Sequence, residues 1–278
     1  MAITFTKMHS LGNDFMVVNT IGQAINWQPQ TIRLLGCRNT GVGFDQCLLL
    51  APPNAQNVDF FYRIFNADGQ EVGQCANGAR ALARFIIYYG LSRKKIINIA
   101  TLTTKMQLHL HSDTSVTIEM EPPKLHPQEI PIKFPQITRT YQLKIGQQDC
   151  AVHAINVGNP HAVLVVKDLN NIPLTTLGKQ ISENYAFPLQ ANVNFMQIDD
   201  WQNVRLRVYE RGCGETKACG SGAVASAAIG RLYHQLATPV SVHLPGGKLM
   251  VDWPNLSGPI YLTGTATFVY EGKLMLIP

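Results

Sequence analysis

The sequence predicts an α+β protein of two pseudo-symmetric domains, each a curved, mostly antiparallel β-sheet or barrel wrapped around a central helix. Three observations carry that prediction. The segments "CANGARALA" from Cys75 and "CGSGAVASA" from Cys219 fit one pattern, Cys-x-[Asn/Ser]-Gly-Ala-x-Ala-x-Ala, and start 144 residues apart. Polar landmarks keep that spacing: Asn13 with Asn159 and Gln46 with Asn192 are 146 apart, and Asn66 with Glu210 is 144 apart. The order of elements around them also matches. A period of this size marks two homologous halves, because stacked-repeat proteins repeat every 20–50 residues or so.

In each half, a strand-like run, "DFFYRIF" (59–65) or "NVRLRVY" (203–209), leads through a Gly-bearing loop to the cysteine. The Ala-rich segments 76–90 and 220–234 then read as helices apolar on most faces, which places them in a core. Strand-like runs follow at 96–121, 240–253 and 259–270, with hairpin signals at Ser112-Asp113 and Pro245-Gly246-Gly247. Between the halves, "EPPKLHPQEIPIKFP" (121–135) holds five prolines and predicts a stiff extended connector. The domains expected are 1–120 and 121–265, with a last strand in 266–278 crossing back to the first.

Composition narrows the function. The chain has 278 residues, 46% hydrophobic and 15% charged, enough apolar mass for two cores. Its net charge of +5 is scattered, and the one tight basic run, Arg93-Lys94-Lys95, reads as a solvated face. No nucleic-acid partner is expected. The N-terminal stretch lacks the layout of a secretory signal and no apolar run spans a bilayer, so no membrane is expected and the cytoplasm is the default. Six cysteines without Cys-x-x-Cys spacing argue against a disulfide framework or zinc site; no metal is expected, and most of the thiols read as buried small hydrophobes. "GCGETKACGSG" lacks the Gly-Lys-[Ser/Thr] of a phosphate loop and the Gly-x-Ser-x-Gly of a nucleophile elbow.

The repeated cysteine carries the chemistry. A helix start presents unpaired N–H groups and roughly half a positive charge, which favours a carboxylate or a thiolate. A cysteine there commonly titrates below its ordinary ~8.5. Two such thiols from related halves supply a base on one face of a carbon and an acid on the other, which is what inversion of an α-carbon requires. The same amide dipoles, near Asn77–Gly78 and Gly220–Gly222, would stabilise the enolate-like charge. The pattern predicts an amino-acid racemase or epimerase using no cofactor. Either string alone reads as packing; a redox pair is the other reading of two facing thiols.

"HSLGNDF" (9–15), "FNADGQEVGQCANGARALARF" (65–85), "VGNPHAV" (157–163) and "YERGCGETKACGSGA" (209–223) resemble the motifs of the diaminopimelate epimerase family nearly end to end. The resemblance implies a homodimeric isomerase that interconverts LL- and meso-diaminopimelate in lysine and peptidoglycan-precursor biosynthesis. It implies Cys75 as the thiol that donates a proton and Cys219 as the thiolate that accepts one, for one direction. Substrate contacts fall on Asn13, Gln46, Asn66, Asn77, Gly78, Asn159, Asn192, Glu210, Arg211, Gly220 and Ser221. His161 and Glu210 match positions that adjust the cysteine protonation states, and Tyr270 matches a dimer contact. Ala76 stands where the family usually has Gly, and Ser221 where Thr is commoner.

Residue chemistry agrees with these assignments and leaves some open. A substrate with two carboxylates and two ammonium groups needs matched partners if buried. A set of amides with Arg211 for a carboxylate and Glu210 for an ammonium supplies them. Asn13, Asn66 and Asn159 serve equally as turn formers beside Gly, Asp or Pro. His161 could instead satisfy a backbone carbonyl, and Tyr270 could be an ordinary strand aromatic.

Overall fold

In the computed structural model, residues 3–23 and 27–274 are described. The chain divides into two compact units, one running to Glu119 and resuming at Thr263, the other spanning Met120–Leu262. The part of the predicted last strand at 275–278 lies outside the described residues.

The first unit opens with β1 (Ile3–Ser10) and β2 (Asn13–Asn19), followed by α1 (Pro29–Gly36), β3 (Gln46–Ala51), β4 (Phe60–Asn66) and β5 (Glu71–Val72). Then come α2 (Ala76–Tyr88), β6 (Ile96–Ala100), β7 (Lys105–Leu110) and β8 (Val116–Met120). The second unit holds β9 (Tyr141–Ile145), β10 (Gln148–Asn156), β11 (Pro160–Val165), α3 (Leu174–Ser182), β12 (Asn192–Ile198), β13 (Asn203–Glu210) and β14 (Gly214–Thr216). It continues with α4 (Gly220–Tyr233), β15 (Val240–Leu244), β16 (Gly247–Asp252) and β17 (Ile260–Gly264). The described chain ends in β18 (Thr267–Leu274).

Strand pairing repeats from one unit to the other. β1–β2 and β10–β11 are antiparallel hairpins, β2–β3 and β11–β12 are parallel, and β3–β4 and β12–β13 are antiparallel. β4–β6 and β13–β15 are parallel again. Each parallel pair is joined through a helix, as such pairs must be, since a tight turn cannot return the chain in the same direction. Thus α1 and α3 carry the first crossover of each unit, α2 and α4 the second. The outer neighbour of β10 is β9, which precedes it, whereas that of β1 is β18, from the end of the chain.

Each sheet packs a helix on both faces. In the first unit, α1 closes a core of Ile3, Met16, Trp27, Ile32, Phe44, Leu49 and Phe65. Strand alternation turns the intervening residues, among them Ser10, Leu48 and Tyr62, toward α2. In the second unit, α3 closes the matching core around Leu164, Leu174, Ile181, Val193 and Phe195. α2 and α4 are Ala-rich because they lie among strands, and Ala81, Ala83, Ala223 and Ala225 are all fully buried.

Two readings of the sequence need correction. The five-proline segment is not an extended connector. It folds into turns, with Glu129 and Ile130 N–H groups donating to His126 and Ile132 to Pro127. Ile130 and Ile132 join the core of the second unit, and burying each stabilises it by about 1.5–3 kcal/mol, enough to fold the segment down. The thiols are also not mostly buried: Cys47 and Cys219 are, but Cys37 and Cys213 are exposed and Cys75 and Cys150 half-buried. No helix among the described residues is long and apolar enough to cross a membrane.

Candidate active site

Each unit places a cysteine at the start of its second helix. Cys75 is the N-cap of α2 and Cys219 the N-cap of α4, both in extended backbone conformation. The loops that deliver them are held alike. Arg63 on β4 grips Glu71 with two hydrogen bonds of 2.7 and 2.9 Å; Arg207 on β13 grips Glu215 with two of 2.7 and 3.0 Å. Both helices carry glycine three residues after the cysteine, for a steric reason. A Cβ at Gly78 would overlap Tyr62 Oη, and one at Gly222 would come within 2.8 Å of Asn194 Oδ1.

In the first unit, the Gly78 N–H donates to Cys75 Sγ at 3.3 Å, so the sulfur takes an amide that the helix cannot satisfy itself. Asn77 is buried, and its amide lies 3.4 Å from Asn13 Oδ1. The two-residue turn Leu11-Gly12, with φ of 54° and 86°, starts β2 at Asn13. Asn13 also donates to Asp45 at 3.1 Å. Gln46 donates to Asn66 Oδ1 at 3.0 Å across β3–β4. Behind the cysteine stands Tyr62, fully buried, its hydroxyl without a partner among the described residues. Burial, then the Cys75 charge, hold its pKa well above the usual value.

The second unit is charged differently. Glu210, at the end of β13, accepts a hydrogen bond from Thr216 Oγ1 at 2.5 Å and one from the Cys219 thiol at 3.1 Å. Burial raises the Glu210 pKa. Burial and then the Glu210 carboxylate push the Cys219 thiol well up, so Cys219 is held as S–H. Ser221 Oγ lies 3.5 Å from that sulfur, so the hydroxyl that Ser shares with Thr is in reach. Gly220 opens α4 beside it and is buried.

His161 is fully buried on β11. Its Nε2 lies 3.1 Å from Asn159 Oδ1 and its Nδ1 2.9 Å from Asn194 Nδ2, an arrangement that suits a neutral ring protonated at Nε2. Burial first, with Arg211 adding to it against the Asn194 bond, lowers its pKa to about 3. Its partners are therefore side-chain amides, not a backbone carbonyl. Asn192 Oδ1 accepts from the Arg211 N–H at 2.9 Å, and Arg211 Nη1 donates to the Leu189 carbonyl at 2.7 Å. Tyr270 stands apart on β18, exposed, edge-on to Phe5 with ring centroids 6.0 Å apart.

Register explains which positions correspond. Phe15 pairs Gln46 and His161 pairs Asn192, so His161 occupies the place of Phe15. Sequence reading passed over Arg80, Tyr62, Ser10, Asn194 and Thr216. Of these, Arg80 left a visible signal: a lone charge in an otherwise apolar Ala-rich helix. Asn194 and Thr216 left none, since their partners are set by tertiary contact.

Solved structures share this fold at low sequence identity. A hydroxyproline epimerase from Agrobacterium vitis matches with a TM-score of 0.73 and 14% identity, covering 100% of this chain and 93% of that one. A phenazine biosynthesis protein of the PhzF family from Bacillus anthracis matches with a TM-score of 0.70 and 14% identity, covering 99% and 100%. The architecture is thus one that serves amino-acid epimerases and PhzF-type proteins. Sequence narrows it further. The diaminopimelate epimerase family model matches residues 5–126 and 153–269. Diaminopimelate epimerase of Legionella pneumophila (strain Lens) is 53% identical over 99% of this chain and 100% of its own length. That of Pseudomonas paraeruginosa is 45% identical over the same shares. The chain belongs to the diaminopimelate epimerase family.

Proposed function

We propose that this protein epimerises LL-diaminopimelate to meso-diaminopimelate by transferring protons at the α-carbon between two thiols, Cys75 and Cys219, without a cofactor. The observation that carries the reading is the repeat itself: each unit places a cysteine at the N-cap of its buried helix, in a family whose relatives bear this name. One sulfur removes the α-proton from one face while the other delivers a proton to the opposite face. In the reverse direction the roles exchange, so each thiol donates in one direction and accepts in the other. General acid–base groups of this kind typically contribute about 10²–10⁴-fold each.

Helix-start amides at Asn77–Gly78 and Gly220–Ser221 stabilise the carboxylate as it takes on enolate character. Asn13, Gln46, Asn66, Asn159 and Asn192 provide donors and acceptors for the polar groups of the substrate. Arg211 takes a carboxylate and Glu210 an ammonium. Glu210 also sets the protonation of Cys219, and the buried neutral His161 holds Asn159 in place. The enzyme works in the cytoplasm, supplying lysine and peptidoglycan precursors. It acts as a homodimer joined through the exposed surface around Tyr270.

The test is turnover of each stereoisomer by wild type, Cys75→Ser and Cys219→Ser. Both variants are expected to lose at least about 10²-fold in both directions. Full activity in either ends the two-thiol reading.

A further inference from the structure

Arg80 is a fully buried arginine that forms no ion pair with a carboxylate among the described residues. It lies on α2, five residues after Cys75, and its relative exposure is 0%. Its Nε and Nη2 donate to Ser10 Oγ at 3.3 and 3.0 Å, and Nη2 donates to Asn77 Oδ1 at 2.5 Å. Nη1 is buried and has no hydrogen-bond partner among the described residues. A buried guanidinium is costly unless a negative charge faces it. Around this helix the candidates are few. Strand alternation turns Thr6, Met8 and Ser10 of β1, Phe15 and Val17 of β2, Leu48 and Leu50 of β3, Met106 and Leu108 of β7, and Tyr62 and Ile64 of β4 toward it. Among these, Tyr62 is the one titratable side chain, and its phenol stays neutral. The charge that favours a protonated Arg80 is the Cys75 sulfur, acting against burial, which brings the guanidinium down to about 10.

We propose that Arg80 is a positioning residue that supplies the counter-charge for a Cys75 thiolate and fixes the Asn77 amide beside it. The inference rests on Cys75 being an acid–base group, as proposed above, and adds which state it rests in. The amide dipoles at the start of α2 act in the same sense as Arg80. The start of α4 offers the same dipoles to Cys219, but no cation: the residue matching Arg80 at the same spacing is Val224, and the residue beside Cys219 is the carboxylate Glu210. The resting protein therefore carries Cys75 as the base and Cys219 as the acid. The arrangement in which Cys75 donates is then the state reached after one proton transfer, not the starting one. Arg80 touches no reacting atom; its effect passes through the sulfur and through Asn77.

The experiment is the pH dependence of iodoacetamide alkylation at Cys75, followed by mass spectrometry of its peptide, in wild type, Arg80→Met and Arg80→Lys. Wild type is expected to show a midpoint below the ~8.5 of an ordinary thiol. In Arg80→Met the midpoint moves up by about one unit or more and alkylation near pH 7 slows about tenfold, while Arg80→Lys keeps most of the wild-type rate. Cys219, read in the same digest, should not move; a general loosening of the protein would move both. A wild-type midpoint at or above 8.5 overturns the proposal, as does an Arg80→Met profile that superimposes on wild type. If Arg80→Met does not fold, the wild-type midpoint and Arg80→Lys decide. No substrate is needed, so inactivity toward diaminopimelate with a low Cys75 midpoint refutes the epimerase reading alone. Activity with an ordinary midpoint refutes this one alone.

Discussion

The starts of α2 and α4 share a scaffold and differ in charge. Both have a cysteine N-cap, a glycine pressed by a strand side chain, and a delivery loop held by an Arg–Glu pair at matched positions. Around Cys75 stand a buried cation, Arg80, and a neutral phenol. Around Cys219 stand a buried carboxylate, Glu210, and a hydroxyl from Thr216. Duplication preserved what positions the sulfur and changed what sets its proton. A reaction that moves one proton in and one proton out needs one thiol and one thiolate, and different surroundings fix which sulfur holds which state.

The sharpest difference in stability lies at Phe15 and His161, which hold the same place in the two sheets. His161 is neutral when folded, with a pKa near 3, against about 6.5 in an unfolded chain. Between those values the unfolded state binds a proton that the folded state does not. The contribution is therefore complete above about pH 6.5 and is lost as pH falls toward 3, at up to about 1.4 kcal/mol per unit. Urea midpoints measured from pH 7 to pH 4 should fall more steeply in wild type than in His161→Phe, the residue of the other unit. His153 and His234 are also lowered by burial, but both proteins carry them, so the difference isolates His161. Equal slopes would remove His161 from the account.

A smaller effect separates the two glycines. An alanine methyl at Gly78 meets the hydroxyl of a fully buried Tyr62 with Leu48 behind it, whereas at Gly222 it meets a side-chain amide at 2.8 Å and Val208 at 3.1 Å. Overpacking of this kind costs about 1–3 kcal/mol, and Gly78→Ala should sit toward the upper end with Gly222→Ala below it. Denaturant unfolding of both checks the order. Adding Tyr62→Phe should restore part of the Gly78→Ala loss; if it restores nothing, the phenol is not the obstacle.

The repeat made much of this visible beforehand. Cys75 and Cys219, their helices and the strands before them could be placed because the same residue types recur at one spacing, and chance does not keep such a register. The predicted helices 76–90 and 220–234 form over 76–88 and 220–233. The five-proline segment misled because proline reports a lost N–H donor but not the burial of Ile130 and Ile132 between them. α1 and α3 were passed over because each is short, at 8 and 9 residues, and what holds them is the sheet behind them. The parallel pairs that they bridge were hidden for the same reason. Arg80 was visible as a charge, but arginine usually extends its head group to water, and only packing shows that this one cannot.

The measurement that bears most directly on two thiols acting from opposite faces is the isotopic content of product and recovered substrate after brief reaction in D2O, starting from each stereoisomer. The account predicts that newly formed product carries deuterium at the inverted α-carbon while recovered substrate keeps its hydrogen, because the acid that delivers the proton is not the base that took one. Product that retains the hydrogen of its own substrate would show a single group working on both faces, and would contradict it.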